Sequence, residues 1–305
     1  MTAASYALTV VKPVTMTTAM LVSSSVPETD HAAWSSGTTY ALGDRIILTS
    51  THKIYESLQA TNLNHDPITS PTWWIEVSPT NRWKVFDTSN STQTAQATSI
   101  SYRVTPGIAI TSFAALNLTN ATSIRVRLVD ATYGTVYDKT TDLLAIQPEP
   151  EWWSWFFGLR TPPELSVATD LPAYPTADLL IDLTGGASLA VGVFLFGQAR
   201  QVGLGVNLGA NIGIQDYSRK ETNEFGDTVL VQRAFSKRAS FDMLLDRADV
   251  DPTASFFTSV RAIPCLWIGH KDYESLVIYG IYKDFQITIA YTDYSDCTLD
   301  LEGLT

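Results

Sequence analysis

The sequence is poor in the residues that most often carry chemistry at protein sites. Its 305 residues include two cysteines and four histidines. No His-x-x-x-His or Cys-x-x-Cys spacing offers a metal site. The chain also lacks the Gly-Lys-Ser/Thr segment of a phosphate-binding loop and the Gly-x-Ser-x-Gly nucleophile elbow. We therefore expect a protein that is not an enzyme and that uses no metal and no cofactor.

Positive charge is scarce as well. The chain has 20 Lys+Arg against 31 Asp+Glu, a net charge of −11, and no basic stripe. Such a surface repels phosphate backbones and anionic lipid, so nucleic acid is not an expected partner. No apolar run reaches the roughly 18 residues that a transmembrane helix needs. We expect no membrane insertion.

Residues that favour β-strands are abundant. Apolar and polar side chains alternate at 124–128 and at 285–289, which is the period of a half-buried strand. Dipeptides such as Pro106-Gly107 and Gly185-Gly186 mark turns between such runs. The pattern predicts an all-β, multidomain chain.

Helical spacing is convincing at one place, near 250–261. Asp251 is a candidate cap and Pro252 suits the first turn, while Phe256, Phe257 and Val260 share one face. This pattern predicts one helix packed on the C-terminal sheet.

Composition divides the chain into four segments. They are an N-terminal arm (1–32), a small aromatic-rich module (33–79), a β-sandwich (80–202) and a C-terminal antiparallel β domain with the helix (203–305). Cys265 and Cys297 lie in strand-like segments of the last domain. One bridge between them is an alternative, but the reducing cytosol in which we expect assembly favours two free, buried thiols.

The module carries a specific order of residues. An opening Trp34 is followed by Tyr40-Ala-Leu-Gly-Asp-Arg-Ile, a strand containing Tyr55, and the closing pair Trp73-Trp74. This order resembles the chitin- and cellulose-binding-type carbohydrate-binding modules of bacterial chitinases and endoglucanases. The resemblance implies a compact β module of about 45 residues.

Two readings of the module residues follow. A unit this small needs large aromatics in its core, and we assign Trp34, Tyr40, Tyr55 and Trp74 to that role. Sugar binding needs exposed flat rings, and the stretch 59–65 has no aromatic where the family has its platform. The residues left as glycan-binding candidates are Trp73, Asn62, Asn64 and Asp66.

The sandwich segment resembles a galactose-binding-like jelly roll, because its last strand at 189–197 ends in glycine. Within it, five aromatics occupy six positions at 152–157. Read as a strand, this run cannot turn all its rings to one side. We therefore assign Trp152, Trp153, Trp155 and Phe156 to an interface between subunits, with a ligand-stacking platform as the alternative.

The order of the three larger segments resembles virion proteins encoded among phage tail genes. The junction at 80–87 and the segment 216–226 carry most of that resemblance. It implies a structural component of a tail tip or baseplate in the virion, which assembles in the host cytoplasm as a homo-oligomer with other tail proteins. Contact with a host-surface glycan stays open. The alternatives are a receptor-binding adhesin for cell-surface polysaccharide and, third, a cell-wall or polysaccharide hydrolase.

Overall fold

A computed structural model describes residues 7–144, 152–157, 163–206, 210–222, 226–270, 273–289 and 291–304, with only the backbone at 154 and 155. The architecture is mostly β, with antiparallel sheets, as predicted. The strands are, in chain order, β1 (Leu8–Pro13), β2 (Leu21–Ser24), β3 (Thr39–Tyr40), β4 (Arg45–Leu48), β5 (Lys53–Ser57), β6 (Asn62–Leu63), β7 (Trp74–Pro79), β8 (Thr94–Ala95), β9 (Ser99–Val104), β10 (Ser112–Asp130), β11 (Gly134–Asp142), β12 (Leu165–Ala168), β13 (Asp178–Val202), β14 (Gly205–Val206), β15 (Asn211–Asp216), β16 (Arg219–Thr222), β17 (Thr228–Val231), β18 (Phe235–Asp246), β19 (Cys265–Ile268), β20 (Val277–Thr288) and β21 (Tyr294–Gly303).

Within the described ranges, two α-helices accompany these strands, α1 (Trp152–Phe157) and α2 (Val250–Ser259). Helix α2 confirms the helix predicted near 250–261. The assignment of Asp251 as its cap is wrong, because Asp249 occupies the cap position and Asp251 lies in the first turn. The reading of 152–157 as a strand is also wrong, since this aromatic run forms α1.

The chain packs as two compact units. The terminal unit consists of Met1–Thr15, Ile110–Phe113 and Leu195–Thr305, and the central unit consists of Met16–Ala109 and Ala114–Phe194. The predicted arm (1–32) is thus divided between the two units.

In the terminal unit, β1 lies between two strands that are distant in sequence. It pairs with the end of β13 on one side and with β19 on the other. The ladder continues from β19 through β20 and β21 to β18. Alternating residues of β18 and β21 face the core. There Phe257 of α2 and Val260, the residue that caps the end of α2, pack with Trp267, Phe241 and Leu299. Burial of this apolar face is the main stabilising term.

In the central unit, β9 pairs with β13 and with β2, and β10 pairs with β11. Every second residue of β9 is buried, namely Ile100, Tyr102 and Val104. The facing residues of β13, Leu179 and Ile181, are buried too. This arrangement is β-sandwich-like, and it also carries the small module at 33–79.

Cys265 and Cys297 are both free and buried, which confirms the predicted pair of thiols. Burial raises the pKa of Cys265 to about 12 and that of Cys297 to about 11. The folded state therefore binds more thiol protons than the unfolded state above pH ~8.5. The stability from these buried thiols is complete below that pH and is lost as pH rises toward 11–12.

We predict that neither cysteine of the native protein reacts with an aromatic disulfide reagent at pH 8, because both thiols are buried and protonated. Two thiols should react after unfolding in denaturant without reductant, as measured by released chromophore. Fewer than two thiols in denaturant, or fast labelling of the folded protein, contradicts this account.

The pairing of β1 with β13 depends on a glycine. At Gly197, which lies opposite Pro13, an added Cβ collides with the backbone carbonyl oxygen of Lys12. At Gly186 of the same strand, an added Cβ meets nothing within 4 Å. A side chain therefore fits at Gly186 but not at Gly197.

We predict that Gly197→Ala lowers the free energy of unfolding by on the order of 2 kcal/mol, because β1 must move away. The matched variant Gly186→Ala should change it by less than about 0.5 kcal/mol. Urea denaturation followed by tryptophan fluorescence measures both. Equal effects of the two substitutions would argue against the close approach of β1.

Candidate functional site

The small module is built from two short sheets. One sheet contains β4, β5 and β7, and the other pairs β3 with β6. The turn from β3 to β4 uses Gly43, whose φ of +85° favours glycine. Asp44 Oδ2 closes that turn by accepting a hydrogen bond from the Ala41 N–H at 2.6 Å. The Gly-Asp pair thus makes the turn between strands.

The structure places the scaffold aromatics together. Tyr40, Tyr55 and Trp74 are buried in one cluster with Ile46, and Trp34 is partly buried against it. The rings of Tyr40 and Trp74 meet edge to face with centroids 5.2 Å apart. The indole N–H of Trp74 donates to the carbonyl oxygen of His65 at 2.9 Å.

Asn62, a glycan-binding candidate, is fully buried at 0% exposure. Its Nδ2 donates to Ser57 Oγ at 2.9 Å, and its Oδ1 accepts from His65 Nδ1 at 3.0 Å. A buried amide with these partners has no surface with which to contact a sugar. The assignment of Asn62 to glycan binding is therefore corrected: it holds the loop after β6.

The other three glycan candidates lie on or beside that loop. Trp73 is partly buried against the module core, and its ring stacks on His65 with centroids 3.8 Å apart. Asp66 Oδ1 accepts from the Ile68 N–H at 2.8 Å, so it stabilises a turn. Asn64 is exposed. These three residues lie close together in the sequence. However, the Trp73 ring is already stacked on His65, which leaves it less surface on which a pyranose ring could stack.

A buried carboxylate joins the module to the rest of the central unit. The Glu28 side chain is only 8% exposed and accepts three hydrogen bonds. The donors are His52 Nδ1 at 2.9 Å, Thr80 Oγ1 at 2.9 Å and Arg82 Nη1 at 3.5 Å. Arg82 Nε also donates to the carbonyl oxygen of Val26 at 2.7 Å. We call these residues the Glu28 clamp.

Aromatic rings extend this junction into the sandwich. His52 of the clamp stacks on Trp83 with centroids 4.3 Å apart and an interplanar angle of 18°. Trp83 contacts Phe86, Phe86 contacts Tyr102, and Tyr102 contacts Phe194, each edge to face at 5.3–5.7 Å. This row of contacting rings thus runs from the module into the sandwich core, and it holds the module in a fixed position. Sequence reasoning missed the clamp because its partners lie 24 to 54 residues from Glu28.

Helix α1 presents an exposed aromatic surface. Trp152 is 71% exposed, Trp153 59%, and Phe156 and Phe157 65% each. Their rings contact one another, as Trp153 does with Phe157 at 4.4 Å. Trp155, the remaining interface candidate, lies outside the described side chains. We call the four exposed rings the α1 cluster.

Across the described ranges, no group of three or more His, Cys, Asp or Glu side chains is arranged to hold a metal ion. Nor does that part of the chain contain a helix long and apolar enough to cross a membrane. Comparison with protein-family models, curated proteins and solved structures finds no match to this chain.

We predict that Glu28→Gln lowers the free energy of unfolding by on the order of 2 kcal/mol, because hydrogen bonds to a buried charge each contribute about 1.5–3 kcal/mol. The control Glu76→Gln removes an exposed pair with Lys53 and should cost less than about 1 kcal/mol. Urea denaturation compares the two variants. Equal small losses would show that the clamp contributes no more than a surface ion pair.

Proposed function

We propose that this chain is a non-enzymatic structural component of a phage tail tip or baseplate. It assembles in the host cytoplasm as a symmetric oligomer, together with other tail proteins. The observation that supports this proposal most directly is the α1 cluster, in which four large rings are more than half exposed.

Such a surface is unusual for a chain that acts alone. A large aromatic side chain can remove ~150–250 Å² from water when it is buried. Contiguous exposed apolar patches above a few hundred Å² mark interaction sites in soluble proteins. Trp and Phe are also enriched in the buried centres of protein interfaces. These properties favour a protein partner that covers α1 in the assembly.

The Glu28 clamp supports the same proposal from another direction. An assembled particle needs neighbouring domains at fixed positions, and the clamp ties the module to the sandwich by a buried carboxylate and stacked rings. We propose a carbohydrate-binding-type fold for the module and a jelly roll for the sandwich, both retained as rigid building blocks. A contact with host glycan is left to Asn64, Asp66 and the edge of Trp73.

We predict that the double variant Trp153→Ser, Phe156→Ser reduces incorporation of the chain into particles by at least about tenfold, which corresponds to about 1.4 kcal/mol of association energy. The control is Tyr133→Ser, because Tyr133 is 72% exposed at the turn after β10. Incorporation is measured by quantitative mass spectrometry of purified virions from a complemented phage that encodes the chain.

The wild-type chain and Tyr133→Ser should be found in virions at equal copy number. Absence of the wild-type chain from purified virions overturns the proposed function. Undiminished incorporation of the double variant shows that α1 is not the assembly surface.

A further inference from the structure

Among the described strands, β15 has a pairing partner along one edge only. It pairs with β18 from Asn211 opposite Ser240 to Asp216 opposite Phe235. Within the part of the chain that the structure describes, no other strand pairs with β15. The second edge of this strand therefore presents backbone N–H and C=O groups on which another strand can form a ladder.

One face of this edge carries a row of large apolar side chains. Ile212 lies opposite Ala239, which is buried in the terminal core, and Ile214 and Phe235 follow on the same face, opposite Lys237 and Asp216 respectively. Yet Ile212 is 51% exposed, Ile214 64% and Phe235 49%. The large apolar side chains of this face thus extend beyond the covered core, onto β15 and the first residues of β18, where they are exposed.

A second edge strand of the same chain, β11, is protected against pairing with other chains. β11 pairs with β10 along one side, and it carries Asp138, Lys139 and Asp142. Charged side chains on an edge strand oppose pairing with other chains. In β15, residues 211–215 carry no charge, and the one charged residue, Asp216, ends the strand. The first five residues of β15 therefore lack the charges that protect β11.

Charge indicates which partner can approach. Residues 211–238 contain five Lys/Arg and four Asp/Glu, whereas the rest of the chain contains fifteen and twenty-seven. Two copies of this acidic chain repel each other over most of their surfaces, but they meet here with little net charge. The segment 211–238 is thus a region where a second copy meets little electrostatic repulsion.

The sequence of the edge is also self-complementary. Ile212 and Ile214 flank Gly213, so an antiparallel pair centred on Gly213 places Ile212 of one copy opposite Ile214 of the other. Both isoleucines then lie on one face and bury each other. We infer that β15 pairs with β15 of a second copy about a two-fold axis at Gly213. This inference rests on the proposed oligomer and names one of its contact surfaces.

The pairing is tested first by Gly213→Cys in the full-length chain. A Cβ at Gly213 meets nothing within 4 Å, so the substitution fits the fold. Across a two-fold antiparallel pair the two Cα atoms lie about 4.5–5.5 Å apart, within reach of a disulfide. The native thiols are buried and do not compete. The control is Thr140→Cys, at an exposed position on β11.

Under mild oxidation we expect Gly213→Cys to form a covalent dimer at least about tenfold faster than Thr140→Cys. Non-reducing gel electrophoresis over time measures both rates. Equal rates of dimer formation would overturn the two-fold pairing at Gly213.

A second variant, Ile214→Lys, places a charge on each side of the axis. Sedimentation velocity should show the wild type as a dimer or larger and Ile214→Lys shifted to monomer. The matched control Ile75→Lys changes an isoleucine that is 50% exposed on β7 and should leave the oligomer intact. A monomeric wild type, or an Ile214→Lys oligomer as stable as the control, contradicts the inference.

These results are separable from the proposed function. A chain that is found in virions but is monomeric in solution, or that oligomerises without the β15 edge, retains the function and loses this contact. A chain absent from virions loses the function even where β15 pairs.

Discussion

The terminal unit depends on the insertion of β1 between β13 and β19. The ladder from β13 to β18 passes through this one strand, and Leu8 and Val10 contribute fully buried side chains to the core. The close approach of Lys12 to Gly197 makes the insertion intolerant of a side chain at that glycine. Segments from both ends of the sequence must therefore come together before the core of this unit is complete, which makes its contacts strongly non-local.

Rigidity and exposure are combined in the central unit. The Glu28 clamp and the row of contacting rings from His52 to Phe194 fix the module by interactions made inside the unit. In contrast, α1 holds large rings in solvent, where they contribute little to the stability of the isolated chain. The same physical interaction, burial of aromatic surface, thus explains both the fold of the module and the proposed assembly.

Sequence patterns predicted the features that depend on local periodicity. Alternation predicted strands, and the spacing of Phe256, Phe257 and Val260 predicted α2. Contacts between residues distant in sequence could not be predicted from such local patterns. Asn62 looked like a polar loop residue, but Ser57 and His65 bury and satisfy its amide. The five aromatics of 152–157 have high strand propensity, yet they form a helix, because intrinsic propensity is a weak determinant where context decides. The Glu28 clamp has no sequence signature, since its donors come from distant segments.

We propose that the chain is part of a symmetric structural assembly in the virion. Symmetry-averaged electron microscopy of intact particles tests it most directly, with this chain located by a bound antibody fragment. We expect a ring of copies at the tail end, with α1 buried against a neighbouring protein. Isolated copies at the periphery of fibres, or no labelled copies on the particle, would contradict the claim.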